Sequence, residues 1–247
     1  IEDSCFVKSN IEDVTFEAKN INIKSGSFKY CKSITQFNIS KSDYAEFGTN
    51  AFEGCINLQK ISVDVSSNLK IMNNCFTGSI NLELLEIKGK TIIIGDQSFI
   101  GCSSIRCFDI QDSNHVLLGE RSFDGCKHLE TVNIRAHEDF EAKPSCFNNL
   151  NKINRVQITS KKVNIGACCF SNCSSLSEFT ISQANNLILC KEVFEGCNNL
   201  KKIDFYVIDT INIEDSCFVK SNIEDVTFEA ENIIVKSESF KNCKSIT

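Results

Sequence analysis

The sequence predicts a solenoid of stacked short turns, each built from a strand and one helical turn, an α/β repeat architecture forming a single domain over residues 1–247. Three observations predict it. Phenylalanines recur in one column, at Phe6, Phe28, Phe52, Phe76, Phe99, Phe123, Phe147, Phe170, Phe194, Phe218 and Phe240, spaced 22 to 24 residues apart. An L-x-x-I-x-I pattern follows the column, as in Leu58-x-x-Ile61-x-Val63 and Leu129-x-x-Val132-x-Ile134. The opening 35 residues return at 213–247, changed only at Lys19/Glu231, Asn22/Ile234, Ile23/Val235, Gly26/Glu238 and Tyr30/Asn242. Self-similarity at a fixed short period marks repeats that each form one supersecondary unit and bury their apolar face on their neighbours.

Each part of the repeat has a physical reading. Apolar residues alternate with polar ones in Leu58-x-x-Ile61-x-Val63, the period of a strand with one buried face. Five residues before each Phe the position is always apolar, from Ile1 and Ile23 through Ile213 and Val235. The stretch around Phe-x-x-Cys reads as a helical turn, and polar loops of four or five residues divide the pieces. L-x-x-L-x-L at a period of 20–29 residues is the pattern of leucine-rich repeats. Counting Phe positions predicts about ten to eleven turns of 22–24 residues, without capping repeats at either end.

A longer cycle of about 71 residues lies above the first. Strand phenylalanines recur on it at Phe37, Phe108 and Phe179, and so do Cys5, Cys75, Cys146 and Cys217. Three such cycles make the 212-residue offset that brings the opening segment back. Thr247 sits where Thr35 precedes the strand Gln36-Phe37-Asn38-Ile39, so the chain reads as a window on a longer tandem array.

The unit Phe52-x-x-Cys55-x-x-Leu58-x-x-Ile61-x-Val63 resembles the BspA-like (Treponema pallidum type) leucine-rich repeat. Ile94-Gly95-Asp96-Gln97-Ser98-Phe99 and Leu118-Gly119-Glu120-Arg121-Ser122-Phe123 look like that family's Ile-Gly-x-x-Ala-Phe element, and the resemblance runs the length of the chain. It implies a surface protein of the kind bacteria and parasitic protists use to adhere to host proteins or other cells, while leaving a cytoplasmic location open. The family often ends its strand with Pro; here that position holds Ser40, Asp64, Lys88, Gln111, Arg135, Thr159, Ser182 and Tyr206.

Composition narrows the function. The chain carries 26 basic and 32 acidic residues, a net charge of -6, which argues against nucleic acid or an anionic membrane as partner. No apolar run approaches the roughly 18 residues of a membrane span. No nucleophile elbow, P-loop or paired-carboxylate motif appears, and His115, His128 and His137 have no catalytic partner at a telling spacing. The reading is therefore of no enzyme, no cofactor and no metal.

The 15 cysteines follow the repeat. Seven stand three residues after the column Phe (31, 55, 102, 126, 173, 197, 243) and five stand one before it (5, 75, 146, 169, 217). These are i and i+4 on one face of a helical turn, so one small buried volume filled by one sulfur is expected, in preference to disulfides or a metal site. Cys107, Cys168 and Cys190 lie outside both positions and are the expected exposed thiols. Asn38-Ile39-Ser40 and Asn172-Cys173-Ser174 match the glycosylation acceptor but include column residues, and read as chance matches unless the chain is secreted.

The expected contact surface is the outward, concave face of the strands, with Lys60, Asp64, Glu86, Glu130, Arg135, Arg155, Lys202, Asp204 and Tyr206 as candidate binding residues. Weighed together, these features favour a non-catalytic structural or adhesive protein, a segment of a rod or fibre that meets protein partners or itself head to tail. The alternative is a receptor or adhesin that recognises a protein on the concave face.

Overall fold

A computed structural model describes residues 1–243. Its strands are β1 (Val14–Phe16), β2 (Asn20–Ile23), β3 (Gln36–Phe47), β4 (Lys60–Ile71), β5 (Leu84–Lys88), β6 (Thr91–Ile94), β7 (Cys107–Leu118), β8 (Thr131–Ala142), β9 (Arg155–Thr159), β10 (Lys162–Ile165), β11 (Glu178–Ser182), β12 (Asn186–Leu189), β13 (Lys202–Tyr206), β14 (Thr210–Ile213), β15 (Asp225–Glu229) and β16 (Asn232–Val235). Every pairing is parallel, and matching residues of successive turns stand in register, as in Ile61↔Leu85 and Leu187↔Ile211.

The strands form two walls. Wall one holds β1, β5, β9, β11, β13, β15 and the first halves of β3, β4, β7 and β8; wall two holds β2, β6, β10, β12, β14, β16 and the second halves of the same four. The four long strands pass from one wall to the other through a corner, where the register shifts near Ser42 and Ser113. Left-handed residues Lys41, Asp112 and Gln183 mark that corner on three turns. Ten strands per wall span about nine full turns, fewer than the ten to eleven that Phe counting predicts, because strand-to-strand intervals number one less than the strands.

The third side of each turn carries the Phe column, and here an expectation fails. No helix forms among the described residues, so the α part of the α/β label is replaced by turns. Two backbone facts explain it. Each column Phe is bracketed two residues before and two after by a residue of positive φ, as Asn50 and Gly54 around Phe52 or Cys168 and Asn172 around Phe170. Left-handed residues that close together terminate any right-handed helix, and Gly or Asn supplies many of them at low steric cost. The column N–H groups also bond outward to the next turn, Phe52 to the Cys75 carbonyl at 2.8 Å and Phe99 to that of Ser122 at 2.8 Å, instead of closing a helical ring.

The core is a ladder. All eleven column rings stack, with centroids 4.9 to 6.0 Å apart and planes within 17°. Phe37 lies edge-on to Phe52 at 4.7 Å, and Phe179 to Phe194 at 4.7 Å, the offset geometries the ring quadrupole favours. Phe108 tilts against Phe123 at 4.6 Å. Beside the rings runs a line of thiols. Cys55, Cys102, Cys126, Cys173 and Cys197 are fully buried, and each donates to the carbonyl of the previous column Phe, for example Cys55 Sγ to Phe28 O at 3.1 Å. Ser79 takes the same role towards Phe52 at 3.2 Å. The thiol thus adds a second bond to a carbonyl that in most turns already accepts the backbone N–H three residues on, as Phe28 O does from Cys31 N–H at 3.1 Å. At Phe170 both Cys169 and Cys173 are fully buried, so the space is not limited to one sulfur per turn.

Candidate binding surface

No cysteine of the described chain is bridged, and burial pushes the Cys55 and Cys173 thiols up to about 12 and those of Cys75, Cys126 and Cys197 well above their ordinary value. A thiol held protonated is a poor nucleophile and a poor ligand. Of the three residues outside the columns, expected to be exposed, only Cys107 is; Cys168 and Cys190 are half-buried, and the column residue Cys5 is exposed because no turn stacks before it among the described residues. No group of three His, Cys, Asp or Glu is placed to hold a metal among the described residues. The same residues contain no helix long and apolar enough to cross a membrane.

Eight of the nine predicted binding residues belong to the strands of wall one, and Glu130 directly precedes β8. The structure gives seven of the nine an oppositely charged partner, in two cases another of the nine. Lys60 meets Glu86 at 2.9 Å, Asp64 meets Lys88 at 3.8 Å, and Glu130 meets Arg106 at 3.7 Å. Arg155 bonds Glu178 at 2.7 Å, and Lys202 bridges Asp204 and Asp225 at 3.2 and 3.4 Å. The Lys60 bond holds the Glu86 carboxyl below its usual range. All but Lys202–Asp204, which lies within one strand, are cross-turn rungs, and between groups this open to solvent each is worth little. Tyr206 is 55% exposed and offers an aromatic anchor at one end of the row. Arg135 makes no ion pair among the described residues; it borders a shallow depression of about 240 Å³ with Gln111, Asn133, Gln157 and Thr159.

The larger depression is on wall two, which the sequence reading did not select. A groove of about 590 Å³ crosses the strands of five successive turns, from Asp139 and Glu141 on β8 to Ile234 on β16. Ile188 and Ile234, 39% and 50% exposed, give it an apolar floor, and Asn164, Asn186, Thr210 and Asn212 line it with groups that donate and accept. Asn212 donates to Glu214 at 3.1 Å while its buried Oδ1 lacks a partner. A second hollow of about 370 Å³ shares Asp139, Lys162 and Asn186 with the groove and adds His115, Glu138, Lys161 and Asp209. A surface of this mixed character suits an amphipathic protein segment more than a small ion. One signal for it is in the sequence. Ile93, Leu117, Ile188 and Ile234 occupy an outward column that is otherwise polar, so they interrupt the strand alternation.

The histidines also acquire partners. His115 Nδ1 lies 2.8 Å from Asp139, His137 Nε2 2.8 Å from Asp112, and His128 Nδ1 2.7 Å from the Ser103 carbonyl. Each pairing bridges adjacent turns, 24 to 25 residues apart, so the period itself is the spacing that joins them. The His137 bond, followed by Lys90, holds the Asp112 carboxyl below the usual range. Neither pair has a nucleophile beside it, and their exposed setting marks them as ties between turns.

Comparison with known proteins agrees with this geometry. The family model described as BspA type leucine-rich repeat region matches residues 1–130 and 118–247, in six copies. No curated protein matches the chain in sequence. Among solved structures, a leucine-rich repeat protein from Bacteroides ovatus superposes with a TM-score of 0.60 at 19% identity, covering 99% of this chain and 80% of that one. A leucine-rich repeat protein from T. pallidum superposes with a TM-score of 0.52 at 16% identity, covering 72% of this chain and 94% of that one. At such identities the likeness concerns the fold, whereas the family model speaks for the sequence along its whole length: the chain belongs to the BspA-type leucine-rich repeat family.

Proposed function

We propose that the chain is a non-catalytic structural and adhesive module of a cell surface, one stretch of an extended rod. The observation that carries this reading is the unbroken ladder. Eleven stacked rings, with parallel strand pairing continuous in wall two and interrupted in wall one only between β5 and β7, repeat one geometry along the described residues. The three-turn cycle of about 71 residues is the unit of growth in this proposal, since the corner residues Lys41, Asp112 and Gln183 are spaced by 71. A rod of this kind lengthens by adding cycles, and each added turn extends it by roughly one strand spacing, ~4.8 Å.

The test is hydrodynamic. Sedimentation velocity of the chain over a wide concentration range, with electron microscopy of the same samples, should show thin species that lengthen as concentration rises. A version with polar substitutions on both end turns should stay short. A compact species at every concentration would count against head-to-tail growth.

A second reading, recognition of a protein partner on wall one, is favoured by the unpaired Arg135. Beads coated with the chain and scored for adhesion to cultured cells test it; binding no greater than that of albumin-coated beads would count against it.

A further inference from the structure

We infer that the depression around Arg135 is a recognition site for a carboxylate side chain presented by a protein partner. The inference rests on the second reading above and names the chemistry of its partner.

The argument begins with the rungs of wall one. Arg155 has Glu178 directly opposite on the next strand, and the two form an ion pair of 2.7 Å with a second bond at 3.2 Å. Arg135 holds the corresponding relation to Thr159, its direct neighbour on the next strand, which brings no charge. The Thr159 hydroxyl is taken by Ser182 at 2.9 Å, and the Gln111 amide by Asp109. The other arginines all have acidic partners: Arg106 has Glu130, Arg121 has Asp124 and Arg155 has Glu178. Arg135 alone, among the described residues, makes neither an ion pair nor a side-chain hydrogen bond. It is a missing rung in a charge ladder.

What fits the gap follows from the donors. A guanidinium presents a planar fork that matches a carboxylate with two parallel bonds. Two residues before it on the same strand face, Asn133 has a buried Oδ1 without a partner. That atom adds an acceptor suited to a backbone N–H beside the incoming carboxylate. One cation among neutral amides balances one negative charge, as a Glu or Asp side chain supplies, and leaves the further charge of a phosphate dianion or of a nucleic-acid backbone unbalanced. The chain's net charge of -6 points the same way. Docking of a partner would exclude water and strengthen the pair, which in open solvent is weak.

The test uses the four arginine Nε–H signals of the labelled chain, Arg106, Arg121, Arg135 and Arg155, as reporters. The probe is the blocked tripeptide Gly-Glu-Gly, with Gly-Gln-Gly and inorganic phosphate as comparisons. The expected result is a saturable shift of the Arg135 signal with Gly-Glu-Gly, and at least tenfold weaker response to Gly-Gln-Gly and to phosphate. Thr159→Glu, which restores the rung on the pattern of Arg155 and Glu178, should abolish the response without disturbing the fold. Parallel drift of all four signals, an equal response to the Gln peptide, or saturation by phosphate would each overturn the assignment. Bead adhesion that survives Thr159→Glu would overturn it too, while leaving the adhesive reading standing; loss of adhesion in that variant alone would support it.

Discussion

Cys5 and Cys217 stand in the same ten residues, IEDSCFVKSN, yet Cys5 is exposed and Cys217 is fully buried. The same reversal runs through both copies of the segment. Phe6 is half-buried where Phe218 is sealed, and Val7 is 37% exposed where Val219 is 9%. Further along, the order inverts: Ile21 and Ile23 are buried in the first copy, while Ile233 and Val235 are 45% and 44% exposed in the second. A residue here is buried by the turns on either side of it and not by its own segment. Within the described residues, 1–243, no turn stacks before the first and none after the last. Each turn therefore borrows its core, which is the physical content of a repeat architecture.

Predictions that bear on this contrast run from large effects to small. The largest concerns the buried thiols. Burial disfavours the thiolate and raises the folded pKa above the ordinary value of 9 at Cys75, Cys102, Cys126, Cys169, Cys197 and Cys217, and to about 12 at Cys55 and Cys173. Above pH 9 the unfolded chain releases protons that the folded chain keeps, so stability is fully present below that pH and falls as pH rises towards 12. Each such thiol costs about 1.4 kcal/mol per pH unit in that window. Several acting together should unfold the chain by about pH 10 to 11, as followed by circular dichroism, and Cys217→Ser should flatten the dependence. A chain equally stable at pH 8 and pH 10.5 would refute the buried-ladder account.

Next comes the ring column. Phe123→Ala, in the middle of the stack, should cost about 3–5 kcal/mol in urea unfolding. Phe6→Ala, at the half-buried end, should cost less than half of that. Equal losses would mean that burial does not depend on place in the array.

A smaller difference is expected at the paired isoleucines. Ile21→Ser should destabilise by about 2–4 kcal/mol and Ile233→Ser by under ~1, because only the first leaves a polar group inside a packed turn. The smallest effect belongs to the rungs of wall one. Arg155→Gln should change stability by less than about 1 kcal/mol, since both partners are about half exposed and screened. A loss above 2 kcal/mol would show that these rungs stabilise the stack, and that wall one is less a contact surface than a seam.

Much of the architecture is legible in the residues. The eleven phenylalanines, the L-x-x-I-x-I strands and the resemblance to BspA-type repeats all reappear as stacked rings, registered strands and a matched family. The helical turn does not, and its failure is instructive. Phe-x-x-Cys spacing looks helical because an i, i+3 pair faces one side of a helix, but a tight turn with left-handed residues at both shoulders faces the pair inward as well. The groove on wall two left only the apolar breaks at Ile188 and Ile234 as a sign, and the histidine pairs were invisible for a related reason. Their members lie a full period apart, and groups joined across turns carry no local spacing signal.

The sequence by itself therefore determined the period, the inward-facing residues and the family, because hydrophobic repetition is a property of a single turn read many times. Only the tertiary structure decided where the backbone hydrogen bonds go, which charges neutralise one another and that Arg135, alone of the four arginines, has no acidic partner among the described residues. Those outcomes depend on what the neighbouring turn places 5 Å away, and a Thr or a Glu at one register position is enough to change them.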